Sequence, residues 1–169
     1  IDPIRASSFS RLLVQNTVTG CAMMINRPLA DLVGGIPSHA KMHDWWIALV
    51  AAAFGKIVSV PITTLLYRQH ASNSLGAKKS GFKGLAEQLK DKRIWEKLAT
   101  GIEQRKNQAE AFFSLYETKL DDHKKKALDT VIQAKGRNQL QNISAALRQD
   151  ILRSNGFSQL ARFCLRNPF

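Results

Sequence analysis

Cysteine is scarce in this chain: Cys21 and Cys164 are its only two, and neither belongs to a Cys-x-x-Cys pair. A zinc site or a disulfide framework is therefore not expected, and a reducing cytoplasm fits. Long apolar runs are missing too. The longest, residues 45–54, covers at most half of the roughly 20 residues that a membrane helix needs, so no transmembrane segment is expected. No charged and apolar leader marks a secretory signal. The chain opens at Ile1-Asp2-Pro3 rather than Met and is expected to be part of something longer. Acidic residues are few, 13 against 25 Lys and Arg, which leaves a formal charge of +12 and a pI near 10.1. With 44% hydrophobic and 22% charged residues, the chain is nevertheless ordinary for a folded protein and not a disordered one. Its 169 residues suffice for one sizeable core or two small ones.

The basic excess is uneven. Residues 1–76 hold six Lys and Arg against three Asp and Glu, whereas residues 77–169 hold nineteen against ten. The texture changes at the same place. Gly and Pro punctuate short apolar runs in the first half. A short helix is expected over residues 8–14, broken by Gly20, and a buried strand over residues 21–25 with Cys21 as a small apolar residue in it. Pro28 suits the first turn of a helix through Val33, which Gly34-Gly35 ends. Asp44 opens a helix to Phe54, with Gly55 just past its end. Residues 57–60 and 63–67 read as two strands separated by Pro61. The second half has almost no strand signal. Ile102, Ala109, Phe112, Tyr116 and Leu120 share one helical face, as do Leu140, Ile143, Leu147 and Ile151. Three to five amphipathic helices are expected there, packed on one another or on the first half.

Chemistry concentrates in three stretches: Gln15-Asn16-Thr17-Val18-Thr19-Gly20-Cys21, Met42-His43-Asp44-Trp45-Trp46 and Leu66-Tyr67-Arg68-Gln69-His70. In this order and at these separations, the set closely resembles the C-terminal part of bacterial family 2 glycosyltransferases. The nearest subgroup is the rhamnosyltransferase-like enzymes of surface polysaccharide assembly. The resemblance spans roughly residues 10 to 80. It implies an α/β fold, mostly helical overall. Residues 1–78 would be the acceptor-side, C-terminal half of a GT-A Rossmann-like domain, and residues 79–169 a basic amphipathic α-helical extension. The implied reaction transfers a sugar from a nucleotide-sugar to a saccharide or lipid-linked acceptor, with a divalent metal, Mn or Mg, in the full-length enzyme. The Asp-x-Asp motif that holds this metal in the family occurs nowhere in the sequence. The donor-binding half is thus expected to be missing and the chain to be inactive alone.

In the family, the Asp matched by Asp44 is the general base that takes the acceptor hydroxyl proton. A carboxylate at a helix start faces free backbone N–H groups and the positive end of the dipole, which keeps it ionised and fixed in direction. The bland alternative is an N-cap, among the commonest roles of Asp. One of Trp45 and Trp46 could wall the acceptor sugar while the other enters the core; the alternative is that both are core. His43 is expected to orient the loop by hydrogen bonding. Arg68 could neutralise the leaving diphosphate and His70 complete a metal shell; an exposed loop histidine is the alternative for His70. Relatives often carry Gly after this His, where this chain has Ala71. The Gln-x-x-Arg-Trp motif of processive members is absent, which points to single additions. Thr19-Gly20 would let the backbone approach the sugar, or form a turn. Asn16 would bond substrate hydroxyls or cap the preceding turn.

The basic second half admits three readings. Lys78-Lys79, the run from Lys90 to Arg93 and Lys124-Lys125-Lys126 could rest on anionic lipid at the inner face of the plasma membrane. Phe157, Leu160, Cys164 and Leu165 with Arg153, Arg162 and Arg166 would suit an interfacial helix. A solvated face is the second reading. Nucleic acid is not an expected partner, because no recognised module or aromatic platform accompanies the charge. A half sheet would expose an edge strand, so a homodimer is also expected. Against the enzyme stands a reading from another class, a non-catalytic helical module that binds a membrane or a protein.

Overall fold

The structure, a computed structural model, describes residues 7–63, 65, 66 and 92–135. These residues are mostly helical. Among the described residues five α-helices run in chain order: α1 (Phe9–Leu12), α2 (Arg27–Val33), α3 (His43–Phe54), α4 (Lys92–Tyr116) and α5 (Asp122–Ile132). Short 3-10 turns lie at Gly20–Ala22, Glu117–Lys119 and Gln133–Lys135. None of the described helices is long and apolar enough to cross a membrane.

Helix α3 is the centre of the core. Asp44 through Ala51 and Ala53 are all buried, as suits a helix that is apolar nearly all round. Helices α1 and α2 pack against it, and α5 packs against α1 and α4. On the expected face of α4, Ala109, Phe112 and Tyr116, continued by Leu120, are buried, whereas Ile102 is half-buried. This face meets α3 and α1 through rings. Phe112 lies edge-on to Trp46 with centroids 5.4 Å apart, stacks on Phe54 at 6.4 Å and touches Phe9 at 5.5 Å. Each such pair adds about 0.5–1.5 kcal/mol beyond the area it buries. The described part of the second half is thus packed on the first half.

Local signals set the helix ends. The Asn26 side chain accepts the Leu29 N–H at 3.1 Å, Pro28 occupies the first turn of α2, and Gly34 ends it at φ 56°. That positive φ is one an L side chain adopts only under strain. Asp121 caps α5 by accepting the Lys124 N–H at 2.8 Å. Long-range polar bonds then tie the helices together. The Tyr116 hydroxyl donates to the Leu32 carbonyl at 3.1 Å, and burial raises its pKa above the ordinary phenol value. The buried Gln108 accepts the Lys41 N–H at 2.9 Å, across 67 residues.

The expected strands are corrected. Residues 21–25 do not form a buried strand. The backbone there closes on itself, with Ala22 N–H donating to Thr19 O at 2.9 Å, and Cys21 is exposed. Met24 is 97% exposed. Residues 57–60 and 63–67 likewise contain no strand among the described positions, and Val58, Val60, Ile62 and Leu66 are exposed. An apolar run becomes a strand only when a neighbour satisfies its N–H and C=O groups. No such neighbour occurs among the described residues. The second expected helical face, from Leu140 to Ile151, lies outside them.

Candidate functional site

The densest polar constellation among the described residues forms where the loop after α1 meets the start of α3. Helix α3 begins at His43 with Met42 as its N-cap, so Asp44 sits inside the first turn and is not the cap. Its side chain folds back against the chain and is only 4% exposed. Oδ1 accepts the Asn16 Nδ2–H at 3.1 Å and the Trp45 backbone N–H at 2.7 Å. Oδ2 accepts the Gly20 backbone N–H at 3.0 Å. An ionised carboxylate offers about four acceptor positions. The position left over is on Oδ2, the oxygen with one partner.

Each donor is delivered by a local feature. Asn16 turns the loop by accepting the Val18 N–H on its Oδ1 at 3.0 Å, which aims its amide at Asp44. Gly20 can come close because it has no side chain. A Cβ there would lie 2.8 Å from His43 Nε2 and 3.3 Å from Asp44 Cβ. The dipole of α3 adds its positive end, which favours a negative group in the first turn. A buried charge needs such partners, since an unpaired carboxylate in this setting would cost several kcal/mol.

The sequence-predicted residues separate into groups. Asn16, Thr19, Gly20, His43, Asp44, Trp45 and Trp46 gather at one end of α3. Thr19 is exposed and its carbonyl closes the 3-10 turn. His43 is exposed and has no hydrogen bond among the described residues; its ring lies over Gly20, so it meets the loop by contact and not by the expected hydrogen bond. Both tryptophans are buried, and neither ring offers an open face to a sugar. Trp45 donates its indole N–H to the Leu12 carbonyl and lies 5.4 Å from Lys41 Nζ, a cation–π distance. Trp46 belongs to the aromatic core, and its Nε1–H has no partner among the described residues. Arg68 and His70 lie outside the described residues.

Two contributors were not singled out by the motifs. Gln108 fixes the chain just before His43, and Lys41 covers Trp45. Gln108 had a visible signal. It precedes Phe112 and Tyr116 at intervals of four, a polar residue on an apolar stripe. Lys41 had none. Among the described residues, no group of three His, Cys, Asp or Glu side chains could hold a metal ion. The described residues therefore do not make a metal site by themselves.

No family model, curated protein or solved structure matches the chain.

Proposed function

We propose that the chain provides the acceptor side of an inverting glycosyltransferase of the family 2, rhamnosyltransferase-like type, with Asp44 as general base. The substrates would be a nucleotide-sugar and a saccharide or lipid-linked acceptor of bacterial surface polysaccharide synthesis. The supporting observation is the Asp44 carboxylate, held by three N–H donors with one acceptor position left on Oδ2. In the step, the acceptor hydroxyl donates its hydrogen bond to that position. Its oxygen attacks the anomeric carbon from the face opposite the nucleotide diphosphate. The C–O bond to the diphosphate breaks, its electron pair leaves with the phosphate oxygen, and the hydroxyl proton passes to Oδ2. A carboxylate already fixed in direction needs no reorganisation at that moment. The GT-A half-domain, the neutralising role of Arg68 and the metal belong to the same proposal and rest on the motif order. Contact of the basic second half with anionic lipid is part of the proposal too and rests on its surplus of Lys and Arg, with the exposed His123 and Lys126 of α5 contributing.

A second reading is favoured by the burial of Asp44, which also suits a latch that pins the loop of residues 16–20 to α3 in a non-catalytic helical module. The deciding experiment is a transfer assay on the chain, and on a longer protein containing it, with a panel of nucleotide-sugars, Mn²⁺ or Mg²⁺ and a lipid-linked acceptor. Asp44→Asn is expected to lower turnover by about 10²–10⁴-fold while donor binding stays near wild type. Loss of donor binding in equal measure, or turnover that survives the substitution, assigns Asp44 to the latch.

A further inference from the structure

We infer that Asn16 is a positioning residue for Asp44 and not a contact for substrate hydroxyls. The inference rests on the proposed role of Asp44 as base. Asn16 lies 28 positions before Asp44 and is half-buried, and each end of its side chain makes a hydrogen bond to the protein. The amide Nδ2–H donates to Asp44 Oδ1 at 3.1 Å, and Oδ1 accepts the Val18 N–H at 3.0 Å. The chemistry fixes which end is which. Turning the amide over would set an N–H₂ against the Val18 N–H and a carbonyl oxygen against a carboxylate, and both contacts would repel.

The consequence for Asp44 is directional. Oδ1 carries two donors, Asn16 and Trp45, while Oδ2 carries Gly20 alone. The Trp45 donor is the next residue's own backbone, so it follows Asp44 wherever α3 goes. Asn16 and Gly20 come instead from one short loop, and the Asn16 turn through Val18 is what brings Gly20 within reach. Asn16 thus selects which oxygen is saturated and leaves Oδ2 as the one with an acceptor position to spare. A base displaced by an ångström loses rate even when every group is present.

Asn16→Asp separates this role from a merely structural one. It keeps an oxygen for the Val18 N–H, and so keeps the turn, but replaces the donor to Asp44 by a second carboxylate. In ¹⁵N–¹H spectra of the full chain, the Val18 amide is expected to stay in place. The Gly20 and Trp45 amides are expected to shift and to exchange faster with solvent. In the transfer assay kcat is expected to fall about 10–100-fold with little change in KM for either substrate. Wild-type chain supplies a measurement that needs no variant to fold: one Asn16 side-chain amide proton should be protected from exchange. The inference is overturned by Gly20 and Trp45 amides that do not respond, by an unprotected Asn16 amide, or by a raised acceptor KM at unchanged kcat. If Asp44→Asn itself retains turnover, the base reading fails separately, and the amide measurements alone decide whether Asn16 fixes the carboxylate.

Discussion

Helices α3 and α5 each begin beside an aspartate, but the two carboxylates answer to different parts of the molecule. Asp121 stands just before α5, with its side chain 54% exposed, and the bonds of that side chain go to Lys124, three residues on. Asp44 stands one turn-step inside α3, 4% exposed, and takes donors from positions 24 and 28 residues earlier in the chain. The first is a local cap that would form in an isolated helix. The second exists only once the loop of residues 16–20 has been laid across the start of α3. A carboxylate at a helix start can therefore report on the helix alone or on the tertiary fold, and burial separates the cases.

The strongest way to break this comparison is to neutralise both positions. Asp44→Asn places an amide where three N–H groups converge, so at least one donor meets a donor. We expect a loss of about 1–3 kcal/mol in denaturant unfolding, alongside the loss of transfer. Asp121→Asn, in the same measurements, should leave transfer untouched and stability nearly so, because Asn caps as well as Asp. Equal effects at the two positions would mean that the long-range contacts of Asp44 add nothing to a local helix-start interaction.

Gly20→Ala tests the loop side of the contact. The new methyl displaces the exposed His43 ring, which is free to swing, and presses on Asp44 Cβ, which is not. A cost near the low end of overpacking, about 1 kcal/mol, is expected in thermal unfolding, with the backbone amide at position 20 exchanging faster than in wild type. A stability gain would show that the loop is not held against α3.

Smallest is the cap. Asp121→Ala should cost about 0.5–1 kcal/mol, read from the same unfolding curves. The pH profile gives its sign. The hydrogen bond from the Lys124 side chain, then that from the Lys124 backbone N–H, holds the Asp121 carboxyl below its ordinary value of 3.8. A carboxyl lowered on folding stabilises above the unfolded value and loses that contribution as pH falls through the folded one. Wild type and Asp121→Ala should therefore differ in stability at neutral pH and converge on acidification below about 3.8. High salt should shrink the part that comes from the exposed Lys124 ion pair.

Legibility in the sequence follows the same division between local and distant causes. Helix α2 could be read from Pro28 and Gly34, α3 from its apolar run between Asp44 and Gly55, and the buried face of α4 from the spacing of Ala109, Phe112 and Tyr116. In each case the decisive interactions lie within a turn or two. Residues 21–25 and the described positions of 57–60 and 63–67 suit a strand in composition, yet no neighbour among the described residues offers them a strand's hydrogen bonds. The residues of the candidate site were visible through their motifs. What they do to one another was not. Asn16 reads equally well as a substrate contact, Trp45 as a sugar platform and Gly20 as a turn until the loop is seen closing on Asp44.

By itself, then, the sequence determined the helices whose caps and apolar periodicity are local, the surplus of positive charge, and the cluster of residues able to do carboxylate chemistry. The tertiary structure alone decided that both tryptophans face inward, that α4 completes the core of the first half, and that Asp44 is held from residues 16 and 20. The physical reason is range. A helix satisfies its backbone with neighbours a few residues away, whereas a buried carboxylate must find donors wherever the folded chain brings them.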